Sequence, residues 1–352
     1  MRSLPLEALH LKAGAELGDA GGAARVESYG EPGPLAIAAR QGAGLLDLSH
    51  HSRLAVVGPD RLSWLQGMVT NDVQKLATGE GCAAAALTNK GKLVGDLRIF
   101  VRPSELWIDV QAQRGEALQS HLSRFIIMED CEVRDISPEL AVLALVGPKA
   151  ILIARHLFPA LAHLADYAQA EVRAPALAEL PAVAIGWPDL GLPGISLWIN
   201  PTMADQVWEA LRLAGAVPMG FDAAEILRVE AGRPREGAEL DEDVIPLEAG
   251  LDAEISNTKG CYLGQEIIAR VSHRGHVNRK LVGFTLGGAL PALPAPLSHE
   301  GKVVGELRSA VSSTRLGRNI GLGYLRRELL ATGTEVGLPG NSVATVTPVP
   351  FV

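Results

Sequence analysis

The segment R-L-A-V-V-G-P-D-R-L-S-W-L-Q-G, Arg53 to Gly67, combines the signals of a strand, a turn and a helix. Its apolar, β-branched beginning favours a strand, and the Gly-Pro pair that follows closes it. Proline is also favoured as the first residue of a helix. The same order recurs between Leu140 and Phe158, where V-G-P again separates an apolar run from a helical pattern. Two copies of this unit indicate an internal duplication.

Further strand-like segments follow each copy and alternate with helical ones. This alternation is typical of an α+β sandwich of the split βαβ type. We therefore expect two ferredoxin-like modules, the first in residues 1–137 and the second in residues 138–279. Short β-type runs separated by Gly and Pro follow, and they predict a small C-terminal β-barrel in residues 280–352.

Composition limits the possible functions. The chain has 352 residues, 47% of them hydrophobic, and a formal charge of -8. Its size suggests two or three domains, and its acidity argues against strong direct binding of nucleic acid. Cys82, Cys131 and Cys261 are too far apart in sequence for a disulfide framework or a typical metal site. No export signal or membrane span is evident. We expect a cytoplasmic monomer without a metal.

The densest chemistry lies in N-T-K-G-C-Y-L-G-Q-E-I-I, Asn257 to Ile268. Cys261 follows a glycine and precedes a helical pattern, with the Lys259 ammonium two residues away. Positive charge from a lysine and a helix N-terminus favours the reactive thiolate. Cys261 is therefore a candidate activated cysteine. The alternative is a buried thiol that acts as a small hydrophobe in an ordinary turn.

The motif K-G-C-Y-L-G-Q-E resembles the signature of folate-binding YgfZ-type proteins, which belong to the aminomethyltransferase (glycine-cleavage T-protein) superfamily. The resemblance implies tetrahydrofolate or a derivative as cofactor. It also implies a role in assembly or repair of iron–sulfur enzymes, with indirect effects on tRNA modification, and therefore iron–sulfur proteins or their assembly machinery as partners. Cys261 and Lys259 would be the functional pair, in a signature completed by Gly260, Tyr262, Gly264, Gln265 and Glu266.

Two further segments resemble folate-contacting parts of the superfamily. In T-N-K-G-K-L-V-G-D-L-R-I-F, Asp96 occupies the position of a carboxylate that meets the pterin ring, although Gly95 replaces the first of the family's two aspartates. On general grounds, Asp96 could instead be a turn or cap residue. In L-W-I-D-V-Q-A, Gln111 stands where the family usually has a folate-contacting asparagine, and its amide retains hydrogen-bonding capacity.

The block from Phe221 to Leu251, with L-R-V-E-A-G and P-L-E-A-G-L, also resembles the superfamily. It makes Arg228 the arginine that faces the folate, with Glu230 as its partner or as a second contact. Leu192 departs from the pattern, because it replaces an acidic residue that helps to bind folate. Since ligand sites favour domain junctions, we expect Asp96 and Arg228 to meet in one central cavity surrounded by the modules and the barrel.

Three functions remain open from the sequence. The first is a folate-binding accessory factor for iron–sulfur enzymes that acts through Cys261. The second is a true aminomethyltransferase, which the loss of acidic residues disfavours. The third is a non-catalytic scaffold, which the presence of Asp96 and Arg228 disfavours. A basic cluster after the signature is either a solvated linker or an anion site; it comprises His273, Arg274, His276, Arg279 and Lys280.

Overall fold

The computed structural model describes residues 1–351, except for the side chains of His273 and Arg274. Its helices are α1 (Glu7–Lys12), α2 (Pro32–Gln41), α3 (Arg61–Gln66), α4 (Gly115–Ser123), α5 (Ala150–Leu157), α6 (Ala204–Leu213), α7 (Phe221–Glu230) and α8 (Gln265–Arg274). Its first strands are β1 (Glu16–Asp19), β2 (Ala24–Ser28), β3 (Gly44–Asp47), β4 (Ser52–Val57), β5 (Gly81–Leu87), β6 (Leu93–Val101), β7 (Glu105–Val110), β8 (Glu132–Asp135) and β9 (Ala141–Val146). The remaining strands are β10 (Gln169–Ala174), β11 (Leu180–Gly186), β12 (Gly194–Ile199), β13 (Val217–Pro218), β14 (Arg279–Leu286), β15 (Ala295–His299), β16 (Lys302–Ser313), β17 (Arg318–Arg326), β18 (Glu335–Leu338) and β19 (Ser342–Thr347).

The first sheet has the strand order β5-β6-β7-β4-β8, and all its neighbours are antiparallel. Side chains alternate between its two faces. On β6, Leu97 and Ile99 face a core that includes Trp64 of α3 and Leu118 of α4. The opposite face of β6 therefore carries Asp96 and Arg98. β7 lies between β4 and β6, which is the split βαβ arrangement predicted from the sequence.

The second sheet has the order β10-β11-β12-β9-β3-β13. Helices α5 and α6 pack on one face, and α2 and α7 pack on the other. The chain passes from the first sheet to the second between β8 and β9. However, β3 comes from the range assigned to the first module, and it pairs with β9 over four residues, Gly44 to Asp47. The second sheet is thus discontinuous in sequence, because non-local pairing recruits a strand that precedes the first sheet.

The C-terminal strands close into a barrel with the order β14-β17-β16-β15-β18-β19. Its longest strand, β16, has an irregularity in its pairing between Leu307 and Ser309. The predicted barrel is confirmed. The division into 1–137, 138–279 and 280–352 stays a prediction about independently folding units.

Aromatic side chains join the two sheets. Trp198 of the second sheet stacks on Trp107 of the first with ring centroids 5.3 Å apart, and Phe100 meets it edge-on at 5.4 Å. These rings form a direct contact between the two sheets. Among the described helices, none has the length and apolar character that a membrane crossing demands.

Candidate functional site

A cavity lies where the two sheets meet α7 and the loop after it. Its empty space is about 980 Å³ when open solvent at the mouth is counted. Both Asp96 and Arg228 line it, although its lining within residues 1–351 includes no barrel residue. Apolar and charged side chains share the walls, among them Leu46, Leu48, Leu190, Met219, Leu251, Asp189, Glu236 and Glu254.

Asp96 is held in the cavity wall by Arg98, its neighbour on the same face of β6. Arg98 Nη1 donates to Asp96 Oδ1 at 2.6 Å, and Arg98 Nε lies 3.2 Å from both oxygens of Asp189. Burial would lower the pKa of Arg98, but the surrounding carboxylates outweigh it and hold that pKa well above its ordinary value. The guanidinium is therefore a permanent cation at the centre of the site.

Glu254 is the third carboxyl group around this cation, 3.9 Å from Arg98 Nη1. Burial and the charge of Asp96 raise the pKa of Glu254 well above its ordinary value, so its carboxyl is neutral at pH 7 and donates to Asp96. Glu254 Oε2 is buried and has no hydrogen-bond partner in the described part of the chain. An unpaired buried acceptor is costly, and a ligand donor would satisfy it.

Glu236 supports Asp96 from behind. Its Oε1 accepts from the backbone N–H of Asp96 at 3.1 Å, and its Oε2 accepts from Arg114 Nε at 2.9 Å. Burial raises the pKa of Glu236 to about 7, although Arg114 opposes this rise. The strand that carries Asp96 is thus fixed to the loop after α7.

Arg228 has no donor left for a ligand. Its Nε and Nη2 bind the two oxygens of Glu225, and its Nη1 donates to Glu239 Oε2 at 2.9 Å and to the Arg233 carbonyl at 2.6 Å. Its remaining N–H donates to Ser309 Oγ at 2.6 Å. Because a guanidinium has five N–H groups, all are used. Arg228 therefore joins α7, the following loop and the barrel instead of offering a free N–H to the cavity.

Glu230, predicted to pair with Arg228 or to meet the ligand, does not pair with Arg228 in the described residues and is not part of the lining of this cavity. It contacts Arg40 and Ser313 and receives no hydrogen bond from Arg228. Its place as the partner of Arg228 is taken by Glu225 and Glu239. One turn of α7 separates Glu225 from the arginine, so this pair is a local one that the sequence spacing permits.

Gln111 lines the cavity as expected, and its side-chain amide has no hydrogen-bond partner among residues 1–351. Leu192 does not line it and packs against the core between the second sheet and α7. The acidic group on that side of the site is Asp189, three residues earlier, which also accepts from Tyr167 Oη at 3.0 Å. Sequence reasoning missed Asp189, since its role depends on pairing with an arginine 91 positions away.

Lys259 is buried, and its ammonium binds three backbone carbonyls. Its Nζ donates to the carbonyls of Gln66, Val69 and Asn71 at 2.6, 2.7 and 2.8 Å. Burial lowers the pKa of Lys259 to about 8, so the side chain is still a cation at neutral pH with all three hydrogens engaged. The predicted functional pairing of Lys259 with Cys261 stays a prediction, and in this structure the ammonium donates to three backbone carbonyls.

The other signature residues also have structural surroundings. Tyr262 is buried against the β5–β6 hairpin, and Gly264 precedes α8 with a φ of +85°. Gln265 donates through its backbone N–H to the Tyr262 carbonyl at 3.2 Å, and Glu266 forms an exposed pair with Arg270 at 2.7 Å. Gly260 is exposed and faces open space. The buried residues of the motif hold its loop in place, and the other side of the loop is exposed to solvent.

Cys261 is exposed on that loop and lines none of the described cavities. The sequence predicted the thiol at a helix N-terminus, but helix α8 begins only at Gln265, four residues after Cys261. Burial raises the pKa of Cys82 to about 12 and also raises that of Cys131, as expected for unreactive thiols.

The basic cluster after the signature is only partly described, because the side chains of His273 and Arg274 lie outside the described residues. Arg279 Nε donates to Glu248 Oε2 at 3.2 Å, and its guanidinium stands over the Tyr324 ring. Lys280 and His276 border a small polar cavity beside α8. The choice between a solvated linker and an anion site stays open.

Two domain families match the chain. The GCVT N-terminal domain matches residues 6–259, and the glycine cleavage T-protein C-terminal barrel domain matches residues 279–352. The chain belongs to the glycine cleavage T-protein family. An aminomethyltransferase from Rubrobacter xylanophilus is 33% identical over 355 residues, which cover 100% of this chain and 94% of that protein. One from Shouchella clausii is 31% identical over 344 residues, or 94% and 92% of the two chains.

The glycine cleavage T-protein fold is shared along the whole length. The crystal structure of glycine cleavage system aminomethyltransferase T from Bartonella henselae superposes with a TM-score of 0.90 at 23% identity, and the match covers 100% of this chain and 98% of that one. The superfamily assignment made from the sequence is therefore confirmed. The narrower YgfZ-type assignment stays a prediction.

Proposed function

We propose that this protein binds tetrahydrofolate or a derivative in the cavity beside Asp96, and that it transfers one-carbon units as an aminomethyltransferase. The observation that carries the proposal is the fixed carboxylate in the cavity wall. Arg98 holds Asp96 Oδ1, while Asp96 Oδ2 accepts no N–H from residues 1–351. A preorganised acceptor of this kind suits the N–H groups on the edge of a pterin ring.

The rest of the cavity fits a reduced folate as well. Its apolar side chains offer surfaces for a flat ring, and the unpaired Oε2 of Glu254 and amide of Gln111 offer polar contacts at the edge. Arg228 contributes indirectly, because it fixes the carboxylate of Glu225 in the wall. When bound, the folate would supply the nitrogen that carries a one-carbon unit.

Calorimetric titration with tetrahydrofolate tests this proposal. When the free tetrahydrofolate concentration is one hundred times its dissociation constant, binding should also raise the free energy of unfolding of the protein by about 2.7 kcal/mol. Asp96→Ala should weaken both the binding and this stabilisation. Asp243→Ala is a matched control, since Asp243 is exposed and pairs only with Lys92. An Asp96→Ala variant that responds like wild type would leave Asp96 as a structural residue of β6.

Aminomethyl transfer is the first candidate reaction because the similar proteins from Rubrobacter and Shouchella are aminomethyltransferases. Leu192 removes one family carboxylate, but Asp189 places another at the cavity wall. Protein incubated with tetrahydrofolate and an aminomethylated carrier protein should release ammonia. Folate binding without ammonia release would retain the binding role and remove the transferase.

A second candidate, an accessory role for iron–sulfur enzymes and indirectly for tRNA modification, is supported by the exposure of Cys261. The buried Lys259 and Tyr262 hold its loop in place, so the motif presents one thiol at the surface. Such a thiol, once deprotonated, is a suitable ligand for iron. Iron–sulfur proteins or their assembly machinery would then be the partners.

Cys261→Ser tests this second candidate. The substitution should preserve folding and folate binding but abolish rescue of iron–sulfur enzyme activity in cells that lack the protein. Cys82→Ser is the control, because that thiol is largely buried and should alkylate more slowly than Cys261. Full rescue by Cys261→Ser would remove the accessory role. Full rescue by Cys261→Ser, together with no folate binding by the wild type, would favour a scaffold.

A further inference from the structure

The turn between β3 and β4 brings two histidines into the cavity on a rigid backbone. Arg2 Nη2 donates to the carbonyls of His50 at 2.7 Å and His51 at 2.6 Å. Arg53, which is fully buried, donates to the carbonyls of Leu48 at 2.7 Å and His51 at 3.2 Å. Two cationic side chains therefore fix the same four-residue segment. Such support is expected where ring orientation matters.

Asp109 of β7 sets the orientation of the His51 ring. His51 Nδ1 lies 2.9 Å from Asp109 Oδ2, and Arg53 Nε lies 3.2 Å from Asp109 Oδ1. Burial alone would raise the pKa of Asp109, but the charge of Arg53 and the hydrogen bond from His51 oppose it, and that pKa lies below its ordinary value. Asp109 is therefore ionised. A carboxylate only accepts hydrogen bonds, so His51 Nδ1 carries the hydrogen and the lone pair lies on Nε2.

The other ring nitrogen of His51 is free. His51 lines the cavity, and its Nε2 has no hydrogen-bond partner in the described part of the chain. The neighbouring His50 ring meets His51 edge-on at 4.7 Å. Burial, followed by the charges of His51, Arg25 and Arg53, keeps the pKa of His50 well below its ordinary value, so His50 is neutral. The only basic imidazole nitrogen that is both oriented by a carboxylate and open to the cavity is thus His51 Nε2, within residues 1–351.

We propose that His51 is the proton acceptor of the cavity and that Asp109 is its positioning residue. This assignment rests on the proposed binding of a folate there. A nitrogen of the bound ligand gives its proton to His51 Nε2, and the electron pair of the broken N–H bond stays on that nitrogen. The positive charge gained by the imidazole faces Asp109, which holds Nδ1–H. The same proton then returns to a leaving amine, so no other reactant is needed.

Asp96 is less suited to this role. Its Oδ1 is already held by the Arg98 cation, and a neutral Glu254 donates to it. Its carboxylate therefore serves to bind and orient. The charged or titratable groups that contact His51 are Asp109, Arg53, Arg2 and His50. Arg25 acts on His50, and Arg98 acts on Asp109.

Nitrogen NMR of the histidine rings tests the assignment directly. Free wild type should show His51 as the Nδ1–H tautomer, with assignment from His51→Asn, whose amide keeps a donor for Asp109. Asp109→Asn should give a mixture of both tautomers. Saturating tetrahydrofolate should shift the His51 Nε2 resonance. The His121 signals should not move, because that buried histidine of α4 lines no described cavity.

Kinetics provide a second arm. His51→Asn should bind tetrahydrofolate within about threefold of wild type but release ammonia ~100-fold more slowly, whereas His121→Asn should match wild type in both. An Nε2–H tautomer in the free protein overturns the assignment whether or not folate binds. So does an unmoved Nε2 resonance when calorimetry shows saturation. Absence of tetrahydrofolate binding to wild type removes the proposed function instead, and the tautomer of the free protein still decides the status of the pair.

Discussion

Arg98 governs the electrostatics of the cavity, because three carboxyl groups surround one buried guanidinium. Asp96 and Asp189 each pair with it, and Glu254 lies slightly farther away at 3.9 Å. One positive charge does not compensate three buried negative charges, so one carboxyl retains its proton. Glu254 is that group, and its hydrogen orients the Asp96 carboxylate.

The protonation of Glu254 predicts a specific pH dependence. A folded-state pKa above the unfolded value means that the folded protein binds the extra proton, so this contribution is present in acid and is lost as the pH rises. Glu254→Gln retains an N–H donor but does not titrate. Its unfolding free energy relative to wild type should rise by about 1.4 kcal/mol per pH unit between about pH 5 and 8. Urea unfolding across this range measures it, and parallel curves for the two proteins would contradict the protonated state.

Asp96 was predictable from the sequence, because a local motif carries it and alternation along β6 orients it. Glu254 and Asp189 were not, since each acts through a residue remote in sequence. Arg228 shows the opposite error. Arg228 lines the cavity, but the sequence did not reveal that Glu225, Glu239 and Ser309 consume its donors.

At the scale of elements, the signature segment, Lys259 to Glu266, packs between α3 and the β5–β6 hairpin. Lys259 collects the carbonyls at the end of α3, and the Leu263 backbone N–H donates to the Gly67 carbonyl at 2.9 Å. Gly264 lies against the hairpin, where a Cβ would meet the Thr88 carbonyl oxygen at 2.6 Å. Most residues of this motif, although it is rich in reactive groups, thus serve to pack neighbouring elements together.

Gly264→Ala should therefore cost about 3 kcal/mol of unfolding free energy, from the positive φ and the backbone clash together. Gly333→Ala is a matched control, because Gly333 has a φ of +88° and no atom within 4 Å of an added Cβ. It should cost about 1 kcal/mol. Chemical unfolding of both variants separates the cost of the positive φ from the cost of the backbone clash. Equal losses would show that close packing at Gly264 contributes nothing.

At the scale of the whole molecule, the cavity depends on parts that are distant in sequence. Arg228 ties α7 to Ser309 of the barrel, and Ser313 donates to Glu230 at the end of the same helix. The barrel thus holds α7 from outside while the cavity lies on its other side. Local signals predicted both the duplication and the barrel. They did not place β3 in the second sheet, because strand pairing across an inserted sheet is a property of the folded chain.

The most direct test of a folate site at Asp96 is a crystal structure of the protein grown with saturating tetrahydrofolate. Density for the pterin ring should fill the cavity between the two sheets, with a ring nitrogen within about 2.7–3.2 Å of an Asp96 oxygen. Arg228 should keep its contacts with Glu225, Glu239 and Ser309. A cavity that remains free of ligand, or a pterin ring bound at a different surface, would contradict the account.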